Sequence, residues 1–296
     1  MTIYDLSLRI DYSFSPPAGA GRQHLRILPA TLPLQQDVRN SRLTILPEPV
    51  DRRDFVDFFG TRVIEIALPA GLTRFSLLLQ AEVERRLAMP GLDVSAAREV
   101  LAEEMLAHSG LDAASPHHFL APSPRIARDE PIAAFARHAT KDAATAHQVV
   151  VALGGALHQA LVFDANATEV DTPPERAFAL RSGVCQDFAQ IMIGGLRALG
   201  IPAAYVSGYL RTLPPPGQLR LNGADAMHAW VQAWTGLDGG WVEYDPTNGC
   251  FAGDGHIRIG FGRDYGDIPP VAGMLRLGGG QTGSHSVDLI EVARLS

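Results

Sequence analysis

A chain of 296 residues is long enough for about two domains at roughly 150 residues each. Its 46% hydrophobic content supports a sizeable core, and 29 glycines and 21 prolines fall short of a collagen-like or low-complexity composition. A net charge of −7, with the basic residues scattered, excludes a dedicated nucleic-acid binder, which gains its affinity by neutralising phosphates.

The opening Met1-Thr2-Ile3-Tyr4-Asp5 has neither the basic nor the apolar region of a secretory signal. Residues 1–86 read as a β-rich, sandwich-like N-terminal domain. Apolar and polar residues alternate in Leu6–Phe14, His24–Leu28, Arg42–Leu46, Val63–Leu68 and Phe75–Val83, and Pro and Gly punctuate the segments between. Residues 87–124 read as a helical and Pro-rich connector. Its one helix is expected to be capped by Ser95 and to run from Ala96 to His108.

The pattern then turns helical. Val149, Val150, Leu153, Leu157 and Leu161 recur at three- and four-residue spacing. Thr172-Pro173-Pro174-Glu175 predicts a helix start with Thr172 as cap, ending near Gly183. A further helix is expected from Cys185 to Leu199, stopped by Gly200-Ile201-Pro202. Its apolar face is Phe188, Ala189, Met192, Leu196 and Leu199, and Cys185 lies on it. The greasy stretch Ile191–Val206 is too short, and too broken by Arg197, Gly200 and Pro202, to span a bilayer. Strands follow at Ala203–Leu210, His228–Trp234 and Trp241–Asp245. The Gly278–Gly283 run reads as a loop before a last strand at His285–Leu295.

Two cysteines, Cys185 and Cys250, are too few for a disulfide framework, and the chain reads as cytoplasmic with free thiols. Thiolate is the attacking form of cysteine, favoured by a helix N-terminus and by a nearby imidazolium. Cys185 has the first by position. Candidates for the second are His138, His147, His158, His228, His256 and His285. Strand geometry favours His228, because even positions of 228–234 share one face, as do Trp241, Glu243 and Asp245. A loop over 235–238 places His228 opposite Asp245, and a register slipped by two residues leaves them diagonal neighbours. A carboxylate behind a histidine orients the ring and stabilises its cation. Cys250 reads as a passive thiol, Trp230 and Trp241 as core packing, Asp187 as a helix cap, and Arg263–Asp264 as an ion pair. No histidine spacing suits zinc, and Asp164–Glu169 lacks the glycine of a calcium loop, so no metal or cofactor is expected.

Several motifs then resemble the bacterial transglutaminase-like cysteine peptidases: Gly183-Val184-Cys185-Gln186-Asp187-Phe188-Ala189, Tyr205-Val206-Ser207-Gly208-Tyr209, His228-Ala229-Trp230, Asp245-Pro246-Thr247-Asn248 and Gly262-Arg263-Asp264-Tyr265. The resemblance covers nearly the whole chain. It implies an α+β fold: an N-terminal antiparallel β-sandwich-like domain, then a papain-like or transglutaminase-like core over 125–296, with the nucleophile helix packed on an antiparallel sheet. It further implies Cys185 as nucleophile, His228 as general base and acid, and Asp245 as orienter. Gln190, Ala204 and Thr61 depart from the family pattern, and none belongs to the triad.

The activity so implied is hydrolysis of peptide or isopeptide-like amides through a thioester acyl-enzyme. Alternatives are glutamine acyl transfer to amines and a non-catalytic peptide-binding scaffold. The single lysine, Lys141, makes the chain a poor amine donor to itself. The expected partner is a peptide or protein substrate, with no nucleic acid and no membrane. The resemblance alone suggests an ATP-grasp ligase partner that makes the amide.

Overall fold

Alternation in the first strand translates directly into burial: Tyr4, Leu6, Leu8 and Ile10 of β1 (Thr2–Ala18) all point into a core. The computed structural model describes residues 1–86, 92–212, 223 and 225–292. After β1 come β2 (Gly21–Leu25), β3 (Gln36–Leu46), β4 (Asp51–Val56), β5 (Arg62–Leu68) and β6 (Leu72–Arg85). Four of these strands contain the expected alternating runs, and β2 begins three residues ahead of its run. The other, β4, is exposed along its whole length and sits at a sheet edge. With no buried face it carries no alternation to read.

The expected connector helix is shortened to α1 (Leu101–Ala107). Ser95 caps nothing there; its Oγ accepts the His147 N–H, while Ala96 N–H donates to Thr235 O. Tertiary partners have taken the backbone groups that a longer helix needs. Residues 87–91 of the connector lie outside the described residues.

Helices α2 (Glu130–Ala139) and α3 (Ala146–Ala160) follow, capped by Asp129 and Thr145. Next come β7 (Val162–Phe163), α4 (Pro174–Leu180), β8 (Ser182–Gly183) and α5 (Cys185–Ala198). At α4 the cap is Pro173, one residue past the expected Thr172, whose hydroxyl instead accepts the Glu169 N–H. Helix α5 ends where the sequence indicates, with Gly200 in the left-handed region at φ +82°. Among the described residues no helix is long and apolar enough to cross a membrane.

The chain continues through β9 (Ala203–Leu210), β10 (Ala226–Trp234), β11 (Trp241–Asp245), β12 (Cys250–Phe251), β13 (His256–Gly262), β14 (Val271–Leu275) and β15 (Gly280–Glu291). Three larger antiparallel sheets result. Two form the sandwich, in orders β15-β1-β6-β3 and β14-β2-β5-β4; the third is β12-β11-β10-β9-β13. Helix α5 packs on β10 and β9 of that third sheet. Its Phe188, Ala189, Met192 and Leu196 are buried against Ala203, Tyr205, Ala229 and Val231.

The last two strands do not remain with the layer that precedes them. β14 pairs with β2, and β15 pairs with β1 from Tyr4↔Glu291 to Ser15↔Gly280. The stretch expected to form the core domain, 125–296, therefore returns to the N-terminal sandwich at its end. Val287 and Leu289 are buried in the sandwich core, and β15 covers an edge of β1 that would otherwise be open. Four residues of the presumed glycine loop, Gly280–Gly283, are part of β15. The expected end of the last strand at Leu295 lies outside the described residues.

Candidate active site

The site starts at the junction of β8 and α5. Val184 is the extended residue before the helix, and Asp187 at the third helical position reaches back to accept its N–H at 2.8 Å. Thr168 Oγ donates to the same Asp187 oxygen at 2.6 Å. A Cβ on Gly183 would lie 2.5 Å from that oxygen, so glycine makes room for the cap. Burial pushes the Asp187 carboxyl up, and the bonds from Thr168 and Val184 oppose that rise. Asp187 thus acts as the helix cap that its position suggests. It sets the angle at which Cys185, the first helical residue, leaves the strand. The Cys185 side chain is half-buried against the core beneath α5.

Facing it is the β10–β11 hairpin. Its register pairs Trp234 with Trp241 and Val231 with Tyr244, slipped by two residues from a 235–238 loop. The connection over 235–240 closes instead through Thr235 N–H to Gly240 O (2.7 Å) and Gly240 N–H to Gly236 O (2.9 Å). His228 and Asp245 are consequently diagonal rather than opposite, and they still meet: Nε2 of His228 lies 2.7 Å from Oδ2 of Asp245. Even positions of β10 bring His228 and Trp230 to one face, while Ala229, Val231 and Ala233 bury the other against α5.

Asp245 is fully buried and saturated with donors. Oδ2 receives His228, His256 Nε2 (3.2 Å) and Asn248 Nδ2 (2.6 Å), and Oδ1 receives the N–H groups of Thr247 and Asn248. Burial works to raise its pKa, but the bonds from His228, His256 and Asn248 and the His228 charge hold it far below the usual carboxylate range. For His228, burial works downward, yet the hydrogen bond to Asp245 and the interaction with Cys185 push its pKa up to about 10. Cys185 is thus the second side-chain partner of the ring.

His256 stands in the sequence as one histidine among six candidates, and nothing there indicates its contact with Asp245. Of the others, His158 bonds Thr247 O, His147 stacks on Phe251, and His138 and His285 are exposed. His228, Asp245 and His256 have potential ligand atoms within 4.8 Å of one another. Hydrogen bonds account for each of those atoms: Gly253 N–H donates to His256 Nδ1, so His256 Nε2 carries the proton that faces the carboxylate.

Trp230, fully buried, stacks on His228 at 6.2 Å and sets its edge against His256 at 5.2 Å. Its Nε1 donates to Glu243, which pairs with Arg258. Arg263 pairs with Asp267 rather than with Asp264, whose carboxylate instead accepts the N–H groups of Gly266 and Arg125. Cys250 is exposed, and burial and the Asp245 charge push its thiol pKa up. Tyr205, wholly buried, is a neutral phenol, its pKa raised by burial and then by the charge of Cys185. It meets Tyr265 edge-on at 6.0 Å. Tyr265 lines a groove of about 570 Å³ with Arg125, Asp171, Tyr12 and Phe75.

Comparison with known proteins agrees with this architecture. Residues 133–246 match the transglutaminase-like superfamily, and residues 4–84 match the bacterial transglutaminase-like N-terminal region. A protein of Mycobacterium leprae is 31% identical over 291 residues, covering 96% of each chain. Proteins of Mycobacterium tuberculosis and Mycobacterium bovis are 41% identical over 131 residues, and the match spans 43% of this chain and 42% of theirs. A protein-glutamine gamma-glutamyltransferase of Pseudomonas aeruginosa is 42% identical over 82 residues, 27% of this chain and 12% of that one. A candidate cysteine protease from Cytophaga hutchinsonii has the same fold, with a TM-score of 0.77 at 21% identity, covering 99% of this chain and 91% of that one. With both regions matched in order and a relative aligned along nearly its whole length, the chain belongs to the transglutaminase-like superfamily.

Proposed function

We propose that the chain hydrolyses peptide or isopeptide-like amides through a thioester on Cys185. The observation that carries this reading is the His228 ring, held between the Cys185 side chain and the Asp245 carboxylate, two neighbours that push its pKa up. Its Nε2 is committed to Asp245, which leaves Nδ1 for the sulfur. In the first step Cys185 Sγ attacks the amide carbonyl carbon and a C–S bond forms. As the C–N bond breaks, His228 gives its proton to the leaving amine. In the second, His228 takes a proton from water, the hydroxide attacks the thioester, and the C–S bond breaks to restore the thiolate. The Cys185 N–H, without an acceptor inside its own helix, is positioned to stabilise the oxyanion. The groove lined by Tyr265, Tyr12 and Phe75 has the size and the aromatic lining to take part of a peptide.

Water is the favoured acceptor because Cys185 is only half-buried, so an acyl group there meets solvent. The likeness to the Pseudomonas aeruginosa glutamyltransferase supports an amine acceptor as the second reading. Iodoacetamide labelling at pH 6.5, mapped by mass spectrometry, tests the shared chemistry. Cys185 is expected to react at least about tenfold faster than Cys250, as a thiolate does beside a protonated thiol, and His228→Ala is expected to abolish the advantage. Equal rates for the two cysteines would overturn the reading. A glutaminyl peptide with a labelled amine then separates the acceptors: free acid indicates hydrolysis, label incorporation indicates transfer.

A further inference from the structure

Asp245 has more donors than a nucleophile–base–orienter set requires, and one of them is a second buried histidine. His256 opens β13 and is only 5% exposed. Its Nδ1 accepts the Gly253 N–H at 3.0 Å, which places the ring proton on Nε2, and Nε2 donates to Asp245 Oδ2 at 3.2 Å. The ring plane is fixed by the edge of Trp230 at 5.2 Å. The backbone of the same residue is held from the other domain: Arg85 of β6, itself buried, donates from Nε to His256 O at 2.9 Å.

We propose that His256 is a positioning residue for the Asp245–His228 pair, and that Arg85 of the N-terminal sandwich fixes it in place. The proposal rests on the reading of Cys185 and His228 given above. A carboxylate bonded to an imidazolium in a buried site can draw the proton across unless other donors stabilise its charge. A neutral histidine with its N–H aimed at Oδ2 supplies such stabilisation without adding a competing positive charge. Asn248 supplies a second donor at the same oxygen, so loss of His256 weakens the arrangement without abolishing it. The N-terminal domain thereby gains a role at the site: its Arg85 holds the strand that carries the donor.

Gln and Phe at position 256 separate donor from shape, since a glutamine amide nitrogen reaches where Nε2 stands and a phenyl ring donates nothing. In the full chain, His256→Phe is expected to slow Cys185 alkylation at pH 6.5 by roughly tenfold, the scale of one lost hydrogen bond to a charged group. His256→Gln is expected to recover most of that loss. Turnover of an amide substrate should show the loss in kcat with KM unchanged. Wild-type protein with nitrogen-15 histidine should show His256 as the Nε2–H tautomer, a readout independent of whether either variant folds. The inference is overturned if the tautomer is Nδ1–H, if His256→Phe labels as fast as wild type, or if folded His256→Gln is as slow as His256→Phe. Failure of the underlying reading looks different: Cys185 would then react no faster than Cys250 in the wild type, with no response to His228→Ala.

Discussion

At the scale of single residues, the proton on His228 ties chemistry to stability. Folded, the ring holds that proton up to about 10; unfolded, it releases it near the ordinary value of about 6.5. A histidine whose pKa is raised by folding contributes its full stabilisation below the unfolded value and loses it as pH rises through the folded one. Asp245 behaves oppositely. Its depressed pKa gives stability that is present above about 3.9 and is lost as pH falls below that. The difference in thermal midpoint between wild type and His228→Gln is therefore expected to be largest near pH 6 and to shrink towards pH 10. Calorimetry across that range checks it, and a difference that stays constant would contradict the assignment. The proximity of Cys185, His228 and Asp245 was legible in the sequence because a helix start and two facing strands constrain them locally. That of His256 was not, because its contact depends on where β13 lies beside β9.

At the scale of elements, glycine positions record where backbone and ring must approach closely. Gly208 pairs with His228 across β9 and β10, and a Cβ there would collide with the Trp230 ring and with Ile257 O. The ring is wedged between two histidines and the oxygen is backbone, so neither yields cheaply. Gly208→Ala is expected to cost about 1–3 kcal/mol in urea unfolding, the range for overpacking a filled core. It should also slow Cys185 labelling by displacing Trp230 from His228. An unchanged urea midpoint would show that the strand accommodates the methyl group. Helix α5 and strands β9 to β11 follow the sequence because each buries a periodic face. Helix α1 is shorter than expected because residues 95–97 bond to Thr235, α3 and Thr145 instead of to one another.

At the scale of the whole molecule, the sandwich and the third sheet share a core. Tyr209, Ile257 and Ile259 of that sheet are buried among the sandwich side chains. Tyr209 Oη donates to Ile27 O at 2.5 Å, and the Gln36 amide bridges Ala30 O and the backbone of Arg258. Two parts joined in this way are expected to unfold together. All three tryptophans, Trp230, Trp234 and Trp241, lie on β10 and β11 of the third sheet, so their fluorescence reports that sheet alone, while far-ultraviolet circular dichroism also reports the sandwich strands. The two denaturation curves are expected to superpose. Curves separated by more than their error would mean independent domains, and would remove the physical basis for a role of Arg85 at the site.

Hydrophobic periodicity records which face of an element is covered, and by itself it determined most of the first strands, helix α5 and the even-numbered face of β10. The order of Cys185, His228 and Asp245, with the motifs around them, is enough to indicate the superfamily. Periodicity is silent on which element does the covering. The slipped hairpin register, the return of β14 and β15 to the N-terminal sheets, the Ser95 hydroxyl at α3 and the His256 donor on Asp245 were settled only by tertiary structure. Each depends on partners distant in the chain, whose meeting is fixed by the packing of whole sheets rather than by local pattern.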